Sequence, residues 1–198
     1  MSRRPFDATV AVAVEPARVR AEPRDDAEQV TQALRGEPLR VEERHAGWAR
    51  IRTAYDYPGW LREEALGPPA GAGWLPDEAG RDPVAEARRY LGAPYEWGGM
   101  TERGIDCSGL VHMAYRRAGR LVPRDADQQE AAGEAISQAD LRPGDLVTYG
   151  GEEGADHIAF WLGGGRILHS TRREGANGVV EEPEPATLRG RRRRLIRL

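Results

Sequence analysis

The sequence predicts an α+β domain preceded by a small β-barrel, and three observations carry that reading. Short runs of alternating apolar and polar residues, separated by turn residues, fill the stretch from Thr9 to Leu61. Residues 67–83 are dense in glycine and proline, which is the composition of a connection rather than of an element. Beyond it the apolar spacing becomes helical and then returns to strands, the order of an α+β unit. A chain of 198 residues, 39% of them hydrophobic, is long enough for one medium domain or two small ones.

Thr9 to Val14, Arg18 to Arg20, Pro38 to Glu42, Trp48 to Arg52 and Gly59 to Leu61 read as the strands of a barrel of about 60 residues. This places a first domain at 1–67, a linker at 68–82 and a second domain at 83–198. Trp48 and Trp60 are expected as core or groove aromatics, and Trp74 and Leu75 give the linker something to pack with. Asp82-Pro83 reads as an N-cap with proline in the first turn of a helix over Val84 to Leu91. Ser108 to Ala118 reads as a second helix with Leu110, Val111, Met113 and Ala114 inward, ended by Gly119. Asp145 to Tyr149, His157 to Leu162 and Arg166 to Thr171 read as strands, the last two joined through Gly163-Gly164-Gly165. The run Arg191 to Arg194 alternates into Leu195, Ile196 and Leu198 and is expected as a solvated strand or tail edge.

Charge narrows the function. The net charge is -3, arginine supplies every basic side chain apart from histidine, and the one arginine run lacks interleaved aromatics. No nucleic-acid partner is expected. No stretch approaches the ~20 apolar residues of a membrane span, so no membrane partner is expected either. The first residues include Arg3 and Arg4 but no apolar core and no small-residue cleavage site. With a single thiol, this points to the cytoplasm.

That thiol is Cys107, in Asp106-Cys107-Ser108-Gly109 at the start of the second helix. Unpaired N–H groups and the positive end of the helix dipole favour a thiolate there, and the same N–H groups suit an oxyanion. His157 opens a strand, where it can shuttle a proton. His169, 12 residues on, falls on the neighbouring strand, where it can orient the His157 ring. Two other readings stay open on spacing alone: an inert structural cysteine, or a metal site, although paired cysteines and closely spaced histidines are missing. His112 lies on a different helical face from Cys107, and His45 sits in a turn.

Five motifs in order resemble the NlpC-type cell-wall cysteine peptidases: Tyr90-Leu91-Gly92-Ala93-Pro94-Tyr95-Glu96-Trp97-Gly98-Gly99, Asp106-Cys107-Ser108-Gly109-Leu110-Val111, Arg142-Pro143-Gly144-Asp145-Leu146, Asp156-His157-Ile158-Ala159 and Leu168-His169-Ser170. The resemblance implies a papain-like α+β domain with Cys107 as nucleophile, His157 as base, His169 as orienting residue and Tyr95 near the oxyanion site. It implies no cofactor and no metal.

Residues 19–37 and Asp56-Tyr57-Pro58-Gly59-Trp60-Leu61 resemble a bacterial SH3-like domain, in particular that of the γ-D-glutamyl-L-diamino acid endopeptidases that recycle murein peptides. In that branch the SH3-like domain caps the cleft and selects a free N-terminal L-alanine. The resemblance implies that Asp106, Tyr57 and Glu28 bind the substrate amine. It also implies that Trp97 and Ser108 line the pocket of a murein tripeptide or tetrapeptide. The chain has one SH3-like domain where some relatives have two, and Ala126 where some have a hydroxyl residue. A secreted endopeptidase acting on intact wall, a catalytically dead peptide binder and an acyl transferase remain alternatives at this point.

Overall fold

A computed structural model describes residues 8–69, 74–75 and 80–198. The chain divides into two compact units, Met1–Trp74 and Leu75–Leu198. Most of the glycine- and proline-rich linker lies outside the described residues; Trp74 and Leu75 within it are half-buried.

The first unit contains β1 (Val10–Val12), β2 (Ala17–Arg20), β3 (Gln29–Ala33), β4 (Pro38–His45), β5 (Trp48–Thr53), β6 (Pro58–Arg62) and β7 (Leu66–Gly67). They form one sheet in the order β3-β2-β6-β5-β4-β1-β7. Its alternation is that of a half-buried sheet: Val12, Val19, Ala33, Leu39, Ile51 and Leu61 form the core, while Arg18 and Arg50 face out. The expected barrel takes the form, among the described residues, of this linear order with β3 and β7 at its edges. His45 pairs with Trp48 across a two-residue turn in which Ala46 and Gly47 both have positive φ, the geometry that matches strand twist in a hairpin. Gly59 lets β6 lie against β2, since a Cβ there would sit 2.3 Å from Val19 Cγ1.

The second unit begins with α1 (Pro83–Arg88), whose N-cap Asp82 accepts from Val84 N–H at 2.9 Å. The helix stops earlier than the apolar spacing indicates and turns through Gly92, where φ is +82°. The hairpin β8 (Met100–Thr101) and β9 (Gly104–Ile105) leads into α2 (Cys107–Arg117), followed by α3 (Ala126–Ala132) and β10 (Glu134–Ala135). Then come β11 (Leu146–Gly151), β12 (Gly154–Gly163), β13 (Arg166–Arg173), β14 (Ala176–Pro183), α4 (Ala186–Arg189) and β15 (Arg192–Arg197). The sheet runs β10-β15-β11-β12-β13-β14. On β12 the pleat divides the side chains: Phe160 stacks on Tyr115 of α2, while Ala159 joins Val147, Tyr149 and Ile167 in a second apolar cluster. This is the mixed α and β architecture the sequence predicts.

The arginine run departs from expectation. It is not a tail edge: β15 lies between β10 and β11, and Ile196 is buried. Its charges answer buried carboxylates. Arg192 holds Glu184 through Nε at 2.6 Å and a second nitrogen at 2.7 Å, and Arg197 holds Asp145 at 2.7 and 2.8 Å. Burial alone would raise the Glu184 carboxyl, but Arg192, Arg189 and the Tyr149 hydroxyl outweigh it and hold it below its ordinary value.

Replacing Arg192 with methionine is therefore expected to cost the second unit about 2 kcal/mol, read as a lower urea midpoint for exposure of Cys107 to alkylation. An unchanged midpoint would mean the pair behaves like an exposed surface bridge.

Candidate active site

The segment that carries Cys107 is held by one buried carboxylate. Asp106 is the N-cap of α2; its Oδ1 accepts from Gly109 N–H at 2.6 Å and its Oδ2 from Gly98 N–H at 2.7 Å. Arg124, only 1% exposed in its side chain, donates to both oxygens at 3.0 and 2.8 Å. Arg124 also donates to Ser108 Oγ at 3.0 Å and to Gly99 O at 3.3 Å, and Ser108 Oγ donates to Asp106 Oδ1 at 3.3 Å. Position 109 must be glycine, because a Cβ there would meet Gly99 O at 2.4 Å. Gln129 of α3 ties the same turn to the next element, donating to Ser108 O at 3.0 Å and Pro123 O at 2.8 Å.

Five donors crowd the Asp106 carboxylate, which has about four lone-pair sites, so it positions the helix start. Ser108 belongs to the same buried cluster, with its hydroxyl hydrogen-bonded to Arg124 and Asp106.

Cys107 is the first residue of α2 and is buried. Its sulfur takes hydrogen bonds from the backbone N–H groups of Ile158 and Ser108. The Ile158 contact sets the thiol beside β12 at the residue following His157. Burial, and then the negative charge of Asp106, push the Cys107 thiol up to about 12 despite those N–H groups and Arg124. Burial, then His169 and Arg191, push His157 down to about 3. Both shifts favour a neutral thiol beside a neutral imidazole. The thiolate expected from the helix end is thus opposed at rest, and the proton must move as the sulfur attacks.

His157 Nε2 lies 2.8 Å from His169 Nδ1, with the rings edge to face. That leaves His157 Nδ1 as the nitrogen for the thiol proton. Beyond His169, its Nε2 lies 3.0 Å from Glu182 Oε1 on β14, and Glu182 is also paired with Arg173. The Tyr149 ring rests 5.7 Å from the His157 ring, and its hydroxyl donates to Glu184 at 3.1 Å.

Tyr95 is half-buried. Burial, then the nearby Cys107 and Asp106, hold its phenol above its ordinary value, so it stays a donor. Trp97, two residues on, is 53% exposed. Tyr57 and Glu28 belong to the first unit, where Tyr57 is half-buried beside Tyr55 at 6.4 Å and Glu28 is exposed just before β3. His112 is structural: it is buried in mid-helix with Nδ1 2.9 Å from Val122 O, and burial pushes it down to about 3. Among the described residues no group of three or more His, Cys, Asp or Glu is placed to hold a metal ion. Sequence reasoning placed Arg124 in a loop resembling that of the family without giving it a role, and missed Glu182. Both carried a faint signal, as charged residues flanking apolar segments.

Comparison with known proteins identifies what the two units are similar to. Residues 92–185 match the NlpC/P60 family, and residues 19–66 match the bacterial dipeptidyl-peptidase Sh3 domain. The chain is 33% identical over 109 residues to a γ-D-glutamyl-L-lysine dipeptidyl-peptidase of Bacillus cereus, covering 54% of this chain and 33% of that protein. It is 40% identical over 86 residues to the protein of the same name from Bacillus subtilis, covering 42% and 29%. Among these curated relatives, the match thus spans about a third of their length. A crystal structure of an NlpC/P60 family protein from Bacillus cereus covers 95% of this chain and 62% of its own, with a TM-score of 0.57 and 26% identity. The NlpC/p60 domain of peptidoglycan hydrolase SagA is 33% identical, covering 59% of this chain and 97% of that domain, with a TM-score of 0.51.

Two outcomes are expected. Asp106→Ala removes a helix cap and strands a buried guanidinium, and should cost about 3 kcal/mol in chemical unfolding; a purely ligand-binding Asp106 would leave stability unchanged. An unfolded histidine takes a proton near 6.5, whereas the buried His112 and the half-buried His157 take theirs only near 3. Between these values the unfolded chain binds the extra protons, so stability falls as pH drops below 6.5. The slope is roughly tenfold in the unfolding constant per pH unit for each such histidine. Unfolding titrations of wild type and His112→Gln from pH 7 to 4 should give a shallower slope for the variant.

Proposed function

The chain belongs to the NlpC/P60 family of cysteine peptidases, and we propose that it cleaves the bond between γ-D-glutamate and the diamino acid of short murein peptides that carry a free N-terminal L-alanine. The observation that carries this is the pairing, in one chain, of an NlpC/P60 domain with a dipeptidyl-peptidase Sh3 domain. A dipeptidyl-peptidase, by its chemistry, removes two residues from a free amino end. The γ-D-glutamyl-L-lysine specificity named for the relatives from Bacillus cereus and Bacillus subtilis gives the bond.

In this reading the Cys107 sulfur attacks the γ-carbonyl as His157 Nδ1 accepts the thiol proton. The oxyanion forms where the Tyr95 hydroxyl and the Cys107 backbone N–H at the start of α2 can donate. Protonated His157 then gives its proton to the departing amine of the diamino acid, leaving L-Ala-D-Glu as a thioester on Cys107. Water, deprotonated by His157, hydrolyses the thioester and restores the thiol. The two hydrogen-bonded histidines support this sequence: His169 accepts from His157 Nε2–H and so keeps the ring directed while its charge comes and goes. The peptidase would work in the cytoplasm on tripeptides or tetrapeptides recovered from the wall.

Mass spectrometry of two murein tripeptides, one with a free L-alanine and one N-acetylated, tests the reading. The free form alone should yield L-Ala-D-Glu, and Cys107→Ala should reduce turnover by more than about 10³-fold. Equal cleavage of both peptides would remove the free-amine requirement and indicate an endopeptidase of intact wall.

A further inference from the structure

We infer that Glu182 decides, from two rings away, which nitrogen of His157 is free to receive the proton from Cys107. The argument rests on the catalytic roles proposed for Cys107 and His157, and it starts at the far end of the chain of contacts. An ionised carboxylate can only accept hydrogen bonds. Although burial works against its charge, Glu182 is kept ionised by its hydrogen bonds from Arg173 and His169. The 3.0 Å contact between Glu182 Oε1 and His169 Nε2 therefore places the hydrogen on His169 Nε2.

The rest follows by counting protons. A neutral imidazole carries one N–H, so His169 Nδ1 is bare. It faces His157 Nε2 at 2.8 Å and can only accept there, so His157 must donate. With its single hydrogen on Nε2, His157 keeps a lone pair on Nδ1. The opposite tautomer would put a hydrogen on Nδ1 and leave nothing to take the thiol proton. Strand register builds the link: His169 pairs with Val180, and Glu182 lies two residues along on the same face of β14, within diagonal reach. Once His157 is protonated, the Glu182 charge also offsets the imidazolium through His169. The other charged or titratable groups facing this relay are Tyr149, Arg173 and Arg191; of these only Arg173 touches the carboxylate. Glu182 is thus a positioning residue, acting through His169.

The test uses the full chain with ¹⁵N-labelled histidine and the free tripeptide. In wild type, NMR should report Nε2–H tautomers for both His157 and His169. Glu182→Gln can present either a carbonyl or an amide N–H, so the tautomer of both rings should become mixed. Its kcat should fall on the order of 10²-fold with KM within about twofold, and Glu182→Asp should recover part of the loss. An Nδ1–H tautomer at His157 in the wild type overturns the inference whether or not the variants fold. So does a Glu182→Gln enzyme that keeps Nε2–H at His157 and loses less than threefold in kcat. Cys107→Ala separates the two readings: if it still turns over, the catalytic assignment fails, whereas an inert Cys107→Ala beside a fully active Glu182→Gln removes only the role of Glu182.

Discussion

The Arg124 guanidinium and the Asp106 carboxylate meet at 2.8 Å with almost no water beside them. Neither charge tolerates burial alone, so the residues that bring them together are committed to one arrangement. Asp106 fixes the first turn of α2 through Gly109 and the preceding loop through Gly98; Arg124 fixes Gly99 and Ser108. Cys107 lies inside this frame without taking part in it. The nucleophile is held by its neighbours' charges, which frees its own sulfur to face β12.

A second constraint is the burial of Cys107 and the partial burial of His157. Burial raises the Cys107 thiol and lowers His157, so a charged pair is costly until a substrate shares the site. A thiol that is neutral at rest is a weak nucleophile toward oxidants and stray electrophiles, because the thiolate is the reactive form. The histidine relay supports that state, since each ring satisfies the other and Glu182 terminates the chain. The Tyr149 ring, itself held by the Glu184–Arg192 pair, closes the His157 side.

Much of this was legible in the sequence where local physics decides. Asp106 before an apolar helical spacing marks the start of α2, and three consecutive glycines, all with positive φ, mark the turn between β12 and β13. What sequence reasoning did not reach depends on partners far along the chain. The frame around Asp106 is closed by Arg124, 18 residues on. The arginine run looks solvated because arginine usually is, yet its carboxylates on Asp145 and Glu184 are set by tertiary pairing. β14 hides behind Glu181-Glu182-Pro183, residue types rare in strands, and α3 is short and largely polar. The thiolate expected at the helix end misjudged a competition, since the dipole term is modest and burial opposes it.

The placement of β15 bears on how the molecule comes into being. The strand sits between β10 and β11, with Arg192 and Arg197 closing the charges of Glu184 and Asp145. During synthesis, N-terminal first, β11, β12 and Cys107 all leave the ribosome before residues 192–197 exist. Until those residues emerge, β11 presents an open edge and two carboxylates lack the arginines that pair with them from β15. The first unit can form early from its own contacts, whereas the sheet of the second unit is not complete until residues 192–197 have been made. Nascent chains stalled short of this strand would hold an unfinished sheet, with β10 and β11 not yet bridged.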